Sequence, residues 1–268
     1  MPAVPQRLVA RGFGAGSAMF WPRCPPSHRV EVAPDRESAA SVTGRRVYQR
    51  LIDRSEGEAL AVPFGAQLPT ANRGRGWLRH LADKIIAACS LVPVAPVLDV
   101  RAFCWTRVLR EEWRAIRDEA LATTSPRNQV EAPFVLWHRG AGVDANIAQC
   151  PATAAAVRTI PGLHSASFVV LPPGAHVPTH RGATRGLVTC HLGLIVPRDG
   201  DARMRIGDRM VRWAEGETLV FDDTYDHEAW NETGGTRVVL RIRVRRPLRQ
   251  PGRWFADMLL RLRTALKR

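Results

Sequence analysis

The sequence predicts a mainly β fold: a jelly roll with helices packed at its N-terminal side and an amphipathic helix at its C-terminus. Three observations predict it. From about Pro133 the apolar residues alternate with polar ones, the period of a strand with one buried face. In that region Gly- and Pro-rich turns recur about every 8–12 residues, as in antiparallel sandwiches and barrels. Helical spacing of three to five residues appears only before and after it.

Residues 1–76 are rich in Pro, Gly, Ser and Arg. Breaker-dense stretches such as "WPRCPPSHR" and "TANRGRG" sustain no period, so this segment is expected to be a disordered or loosely attached leader. "RRVYQRLIDR" (45–54) is its one candidate helix. A helical lead-in over 77–102 opens with "WLRHLADKIIAACSLV", read as a helix ended by Pro93. Phe103, Trp105, Val108, Leu109, Trp113, Ile116 and Ala120 then recur at helical steps. Glu111, Glu112, Arg114, Arg117 and Asp118 fill the other face, which predicts one amphipathic helix.

The strands follow. "SASFVVL" (165–171) leads into the turn "PPGAH", and "GLVTCHLGLIVP" (186–197) ends at Pro197. "DARMRIGDRMVRWAEGETLVF" (201–221) reads as two short strands about the turn "GDR", then a turn "AEGE" into a third. "TRVVLRIRVRRP" (236–247) sets Val238, Leu240, Ile242 and Val244 on one face and Arg237, Arg241, Arg243 and Arg245 on the other. Four arginines are strange neighbours for a barrel lumen, so the later ones lie beyond its mouth or the strand is bulged. Residues 248–268 read as a basic amphipathic helix.

The formal net charge is +14, which points to nucleic acid or an anionic membrane as a partner. Among the 39 basic residues only Lys84 and Lys267 are lysine, so part of the charge reflects an arginine-rich composition. No nucleic-acid-binding motif is present, and no nucleic acid partner is expected. From Arg237 onward ten arginines and one lysine face a single acid, Asp257. Trp254, Phe255, Met258, Leu259, Leu262 and Leu266 share a helical face there; it either lies on an anionic membrane or packs on the barrel. The longest apolar run, Ile85 to Leu98, contains Pro93 and Pro96 and is short for a membrane span of roughly 20 residues. No cleaved signal is read at the N-terminus. Five scattered cysteines without a CxxC pair argue against a disulfide framework or a zinc ribbon and for a reducing compartment. The expected location is cytoplasmic, with association with the cytoplasmic face of a membrane as the alternative.

Candidate chemistry gathers in the β region, where His176, His180, His191 and His227 lie. Imidazoles from separate strands can hold iron, zinc, copper or nickel, and oxygen ligands shift the choice towards iron or manganese. Spacing does not say which histidines meet. The segments "LPPGAHVPTHRGATRGLVTCHLGLIVP" and "WAEGETLVFDDTYDHEAWNETGGTRVVL" resemble the aspartyl/asparaginyl β-hydroxylase family. "LREEWRAIRDEALA" and "PFVLWHRGAGVDANIAQCPATAAAVRTIPG" are similar to its preceding segments, so the resemblance runs from about Phe103 to Pro247.

The resemblance implies an iron(II)- and 2-oxoglutarate-dependent dioxygenase with a double-stranded β-helix, using O₂ and sustained by ascorbate. His180 in "THRG" matches the first iron histidine and His227 in "DDTYDHEAW" the second. Gly182 stands where most such oxygenases carry a metal-binding carboxylate, an absence the family shares. Asp223 is then the candidate catalytic carboxylate, supporting a water on the metal or a ligating imidazole, with Asp222 as the other choice. Arg237 matches the arginine that grips the distal carboxylate of 2-oxoglutarate. His191 matches a histidine of the same pocket, and Trp137 would form an apolar wall there. Thr189 stands in the cosubstrate pocket where many members carry arginine, and Val169 where some animal members carry serine. His176 and Trp230 are read as structural.

The reaction implied is hydroxylation of an unactivated C–H. The expected substrate is an Asp or Asn side chain of a protein or peptide, and the alternative is a fatty acyl chain of lipid A at the membrane. The rival of another class is a non-catalytic binding member of the fold.

Overall fold

The computed structural model describes residues 76–124 and 133–265; the leader, the candidate helix at 45–54 and Leu266 lie outside the described residues. Helix α1 (Gly76–Ala88) ends before Pro93, because the chain turns off to pair with the C-terminal segment: Leu91 N–H donates to Pro247 O, and Ser90 bridges Leu248. Strand β1 (Val97–Leu98) and a 3₁₀ turn (Val100–Ala102) follow. The single helix expected from Phe103 onward is two, α2 (Thr106–Glu111) and α3 (Trp113–Thr123), broken where Glu112 leaves helical geometry. The break lets α2 reach strand β9 (Thr218–Phe221) while α3 crosses strand β6 (Leu187–Ile195).

Strands β2 (Phe134–His138) and β3 (Ala141–Gly142) and helices α4 (Asp144–Ile147) and α5 (Pro151–Arg158) lead into the main β region. There β4 (Leu163–Leu171), β5 (His176–His180), β6, β7 (Asp201–Ile206), β8 (Arg209–Arg212), β9, β10 (His227–Glu232) and β11 (Arg237–Arg245) follow in order, and helix α6 (Gly252–Ala265) comes last. Two antiparallel sheets result, one ordered β1-β9-β6-β11-β4-β2-β3 and the other β5-β10-β7-β8.

The predicted alternation sorts the side chains of the large sheet between two cores. Val188, Cys190, Leu192 and Leu194 of β6 and Val238, Leu240, Ile242 and Val244 of β11 face the helices, packing with Phe103, Leu109 and Ile116. The opposite face meets the small sheet through Leu171, Met204, Ile206, Trp213, Phe221 and Val239. This inner face, enclosed by both sheets, carries the polar residues of interest. The fold is the expected mainly β jelly roll with flanking helices. α6 packs on α1, yet leaves Trp254 and Leu262 exposed. Cys104 is disulfide-bonded, which the scattered cysteines did not suggest, and Cys89, Cys150 and Cys190 are free thiols. Among the described residues no helix is long and apolar enough to cross a membrane.

Candidate active site

His180 and His227 stand directly opposite one another on neighbouring strands β5 and β10. Their ring centroids are 4.1 Å apart. Strand parity alone does not bring His180 inward, since Val177, three residues earlier, also packs into the inner core. A bulge in the pairing of β5 with β10 inserts an extra residue and turns His180 back to that face. Pro178 is tolerated because β5 is an edge strand.

Each imidazole is held by its own backbone. His180 Nδ1 lies 2.8 Å from Pro178 O and His227 Nδ1 lies 2.9 Å from Tyr225 O. Donation of Nδ1–H to those carbonyls fixes the tautomer and leaves the two Nε2 lone pairs free, the state in which imidazole ligates a metal. Burial pushes His227 below the ordinary histidine range, with His180 adding to the effect, so the ring stays unprotonated. Among the described residues no group of three or more His, Cys, Asp and Glu forms a metal cluster. The pair offers two nitrogens, and the remaining positions of an ion would fall to smaller ligands.

The structure separates the two aspartates. Asp222 is fully buried and occupied: it pairs with Arg246 and Arg185 and accepts bonds from the amide and hydroxyl of Thr224. Its work is to hold the loop. Asp223 faces the site. Its Oδ2 accepts the Thr189 hydroxyl at 2.9 Å and lies 3.3 Å from Arg243 Nη2. Its carboxylate also fills the space beside Gly182: a Cβ there would sit 1.9 Å from Asp223 Oδ1. The carboxylate absent from residue 182 is thus replaced in space by one from the loop before β10. The bond Thr189 makes goes to Asp223, not towards a cosubstrate.

A continuous wall of contacts leads from the histidine pair to Arg237. His227 packs on Phe221 (centroids 6.0 Å), and Phe221 on His191 (5.0 Å). Trp213 Nε1–H donates to His191 Nδ1 at 3.3 Å, and the Arg237 guanidinium lies 4.1 Å from the Trp213 ring centroid. Because His191 accepts at Nδ1, its neutral ring carries the proton on Nε2 and can donate from there. Burial, with Arg237, Arg241 and His227 nearby, holds His191 well below the usual range and keeps it neutral. Arg237 is 3% exposed, and its Nε and Nη1 have no hydrogen-bond partner. Burial pushes its guanidinium down to about 9, still cationic at neutral pH.

Trp137 does not join this wall. A bulge within β2 aligns it with Ala166, and it packs in the helix-side core with the Arg158 guanidinium 5.9 Å from its ring. Val169 lines the inner core. His176 and Trp230 stack on the outer face of the small sheet (5.2 Å), consistent with a structural role. Sequence reasoning missed Trp213 and Phe221, which look like ordinary core aromatics until His191 and Arg237 are in view. The arginine parity of β11 was the signal for two more residues: Arg241 and Arg243 stay on the inner face, beside His191 and Thr189 respectively. Only Arg245, past a bulge in the pairing with β4, turns out to solvent and bonds Asp257.

Residues 110–247 match the aspartyl/asparaginyl β-hydroxylase family. The chain belongs to this family. Among curated relatives it is 37% identical over 186 residues to an ornithine lipid ester-linked acyl 2-hydroxylase of Rhizobium tropici, covering 62% of this chain and 66% of that one. It is 27% identical over 157 residues to the human aspartyl/asparaginyl β-hydroxylase, covering 52% of this chain and 21% of the human protein. The chain therefore spans less than two thirds of either relative. Among solved structures, the DMSP lyase DddQ of Ruegeria pomeroyi is 16% identical with a TM-score of 0.29, covering 42% of this chain and 46% of that one. Within the family match lie every residue of the wall from His180 to Arg237, and Gly182 and Asp223 with them.

Proposed function

We propose that this chain is an iron(II)- and 2-oxoglutarate-dependent dioxygenase that hydroxylates an unactivated C–H bond. Arg237 carries the reading. A buried guanidinium with no acid beside it and two of its nitrogens unbonded is unfavourable until an anion meets it, and planar bidentate donors match a carboxylate. The wall from Arg237 through Trp213, His191 and Phe221 ends at two free imidazole nitrogens, so one lined surface offers a carboxylate grip at one end and metal donors at the other. A dicarboxylate with an α-keto group suits both ends.

When bound, the metal and cosubstrate supply the oxidising power for the C–H bond. The chain's residues do the rest. His180 and His227 present Nε2 with the tautomer fixed by Pro178 O and Tyr225 O. His191, neutral and protonated on Nε2, donates to a carboxylate. Asp223, anchored by Thr189, orients a water or a ligating imidazole, and Phe221 and Trp213 exclude bulk water.

The first substrate reading is an Asp or Asn side chain of a protein or peptide, the chemistry in the human relative's name. A fatty acyl chain of a membrane lipid is the second, favoured by two observations. The Rhizobium relative is the more similar of the two described, and its name specifies an acyl chain. Trp254, Leu262, Leu81 and Leu91 are exposed on or near the α1–α6 pair, with Lys84, Arg249 and Arg261 also exposed there. Such a surface suits peripheral contact with an anionic bilayer.

The test is succinate release from 2-oxoglutarate by the full chain with iron(II) and ascorbate, in the presence of lipid or peptide extracts. Mass spectrometry of both extracts then looks for a product one oxygen atom heavier. Succinate formed only with lipid, or only with peptide, selects the substrate class. No succinate with any extract, together with no metal binding, sinks the oxygenase reading in favour of a non-catalytic member of the fold.

A further inference from the structure

The inner face of β11 carries three guanidinium groups, Arg237, Arg241 and Arg243, and one carboxylate, Asp223, meets one of them, Arg243. The chain treats its arginines differently elsewhere. On the outer face of the small sheet Arg203 pairs with Asp201 and Glu232, Arg205 with Glu228, and Arg212 with Asp201. Each cation there has its acid. On the inner face Arg241 has a long bond of 3.4 Å to the neutral hydroxyl of Ser167, and the Nε of Arg243 is buried without a partner.

Position separates these two from Arg237. Along a strand residues advance about 3.3 Å each, so Arg237 and Arg241 start about 13 Å apart, whereas Arg241 and Arg243 start about 7 Å apart on the same face. Two long side chains at the shorter spacing can close on one oxyanion; Arg237 cannot share it. Arg241 sits opposite His191, and Arg243 opposite Thr189 and in contact with Asp223. Both thus flank the residues that adjoin the histidine pair. Burial first, and then the Arg243 charge, push Arg241 down to about 10, with Asp223 opposing the shift only in part. A divalent metal and a dianionic cosubstrate would cancel each other's charge, leaving the excess of the protein's own cations in place.

We infer that Arg241 and Arg243 form a second anion subsite, which grips a carboxylate or phosphate of the substrate beside the reacting centre. The identity of the neighbouring anion rests on the proposed function; the subsite itself rests on the geometry of β11. The hydroxylated substrate is then an acidic molecule, docked by its charged group at the strand end opposite the Arg237 grip.

The test reads thermal stability of the full chain loaded with manganese(II), first with 2-oxoglutarate and then with acetate or inorganic phosphate added. A ligand that binds only the native state raises the melting temperature by mass action. The second addition is expected to give a further rise, and whichever of acetate and phosphate gives more identifies the group. In R241Q/R243Q the 2-oxoglutarate rise should persist while the second anion binds at least about tenfold more weakly, as for a lost bidentate contact. R209Q, on the exposed strand β8, should keep both rises.

No second rise in the wild type, or a second rise intact in R241Q/R243Q, overturns the inference. Loss of the 2-oxoglutarate rise in R241Q/R243Q also overturns it, since the arginines would then hold the cosubstrate. A wild type that ignores 2-oxoglutarate but binds phosphate through Arg241 and Arg243 keeps the subsite and removes the dioxygenase reading. The single variants R241Q and R243Q, each expected to weaken the second anion alone, carry the test should the double variant not fold.

Discussion

Replacing Arg237 with methionine should make the ligand-free protein more stable while removing its grip on 2-oxoglutarate. The guanidinium is buried, its Nε and Nη1 are unpartnered, and burial pulls it well below the ordinary arginine range, to about 9. At about 1.4 kcal/mol per pKa unit, holding the charge there costs about 5 kcal/mol. Its stacking on Trp213 returns about 2 kcal/mol. Methionine fills much of the same space and leaves no buried partner orphaned. The net gain is about 3 kcal/mol, or about 6–12 °C in melting temperature for a chain of this size. The sign with pH follows. Below about pH 9 the folded and unfolded states are both charged at residue 237, and the wild type bears the full cost. Above that the folded state sheds its proton while the unfolded state keeps it, so the wild type recovers and the gap to R237M narrows. Scanning calorimetry of both proteins from neutral pH to about pH 10, with and without 2-oxoglutarate and manganese(II), reads all three effects. A less stable R237M that still gains stability from 2-oxoglutarate would refute the reasoning, because Arg237 would then be a structural cation.

Three other substitutions separate the roles in the site. Gly182→Ala drives a methyl group into the Asp223 carboxylate, and should cost about 1–3 kcal/mol by chemical denaturation; adding Asp223→Ala should restore stability without restoring turnover. Asp223→Ala alone should cost about 1–2 kcal/mol, since Thr189 loses its acceptor and the partly exposed Arg243 its acid, and should lower succinate formation by far more than that loss of stability explains; unchanged turnover would return that aspartate to loop formation. Asp222→Ala should instead cost about 3–5 kcal/mol, because it leaves Arg246 buried without its acid, while the metal affinity of the folded fraction stays unchanged.

The strands most easily read from the sequence were those whose inner and outer faces differ in hydrophobicity. In β11, Val238, Leu240, Ile242 and Val244 declare the helix-side core at once. β10 did not declare itself, although it alternates faithfully: His227, Ala229 and Asn231 are buried, while Glu228 and Glu232 join an ion-pair lattice outside. Buried His227 and Asn231 and half-buried Trp230 blur the contrast between its faces, so periodicity alone does not mark the strand that holds a candidate metal ligand. β5 was hidden twice, by Pro178 and by the bulge that breaks its period. The histidine pair was legible because the flanking words matched a family, whereas Trp137 shows the limit of that route. A residue can keep its place in a motif while the bulge in its strand turns it to the other side of the sheet. The arginines of β11 taught the reverse lesson: their shared parity was visible from the start, but the expectation that the later ones leave the inner face holds for Arg245 alone, and Arg241 and Arg243 stay.

The bulge on β5 has a mechanical consequence. His180 belongs to an edge strand, bonded to one neighbour only, while His227 belongs to an interior one. An ion shared by the two rings would act as a hasp across the open side of the small sheet, fastening its loosest strand to its interior. Stripping the ion should then free β5 before any other strand, and amide exchange at Val177, Thr179 and His180 should quicken while that of β7 barely changes. Occupancy of the centre and closure of the sheet's rim would be a single event.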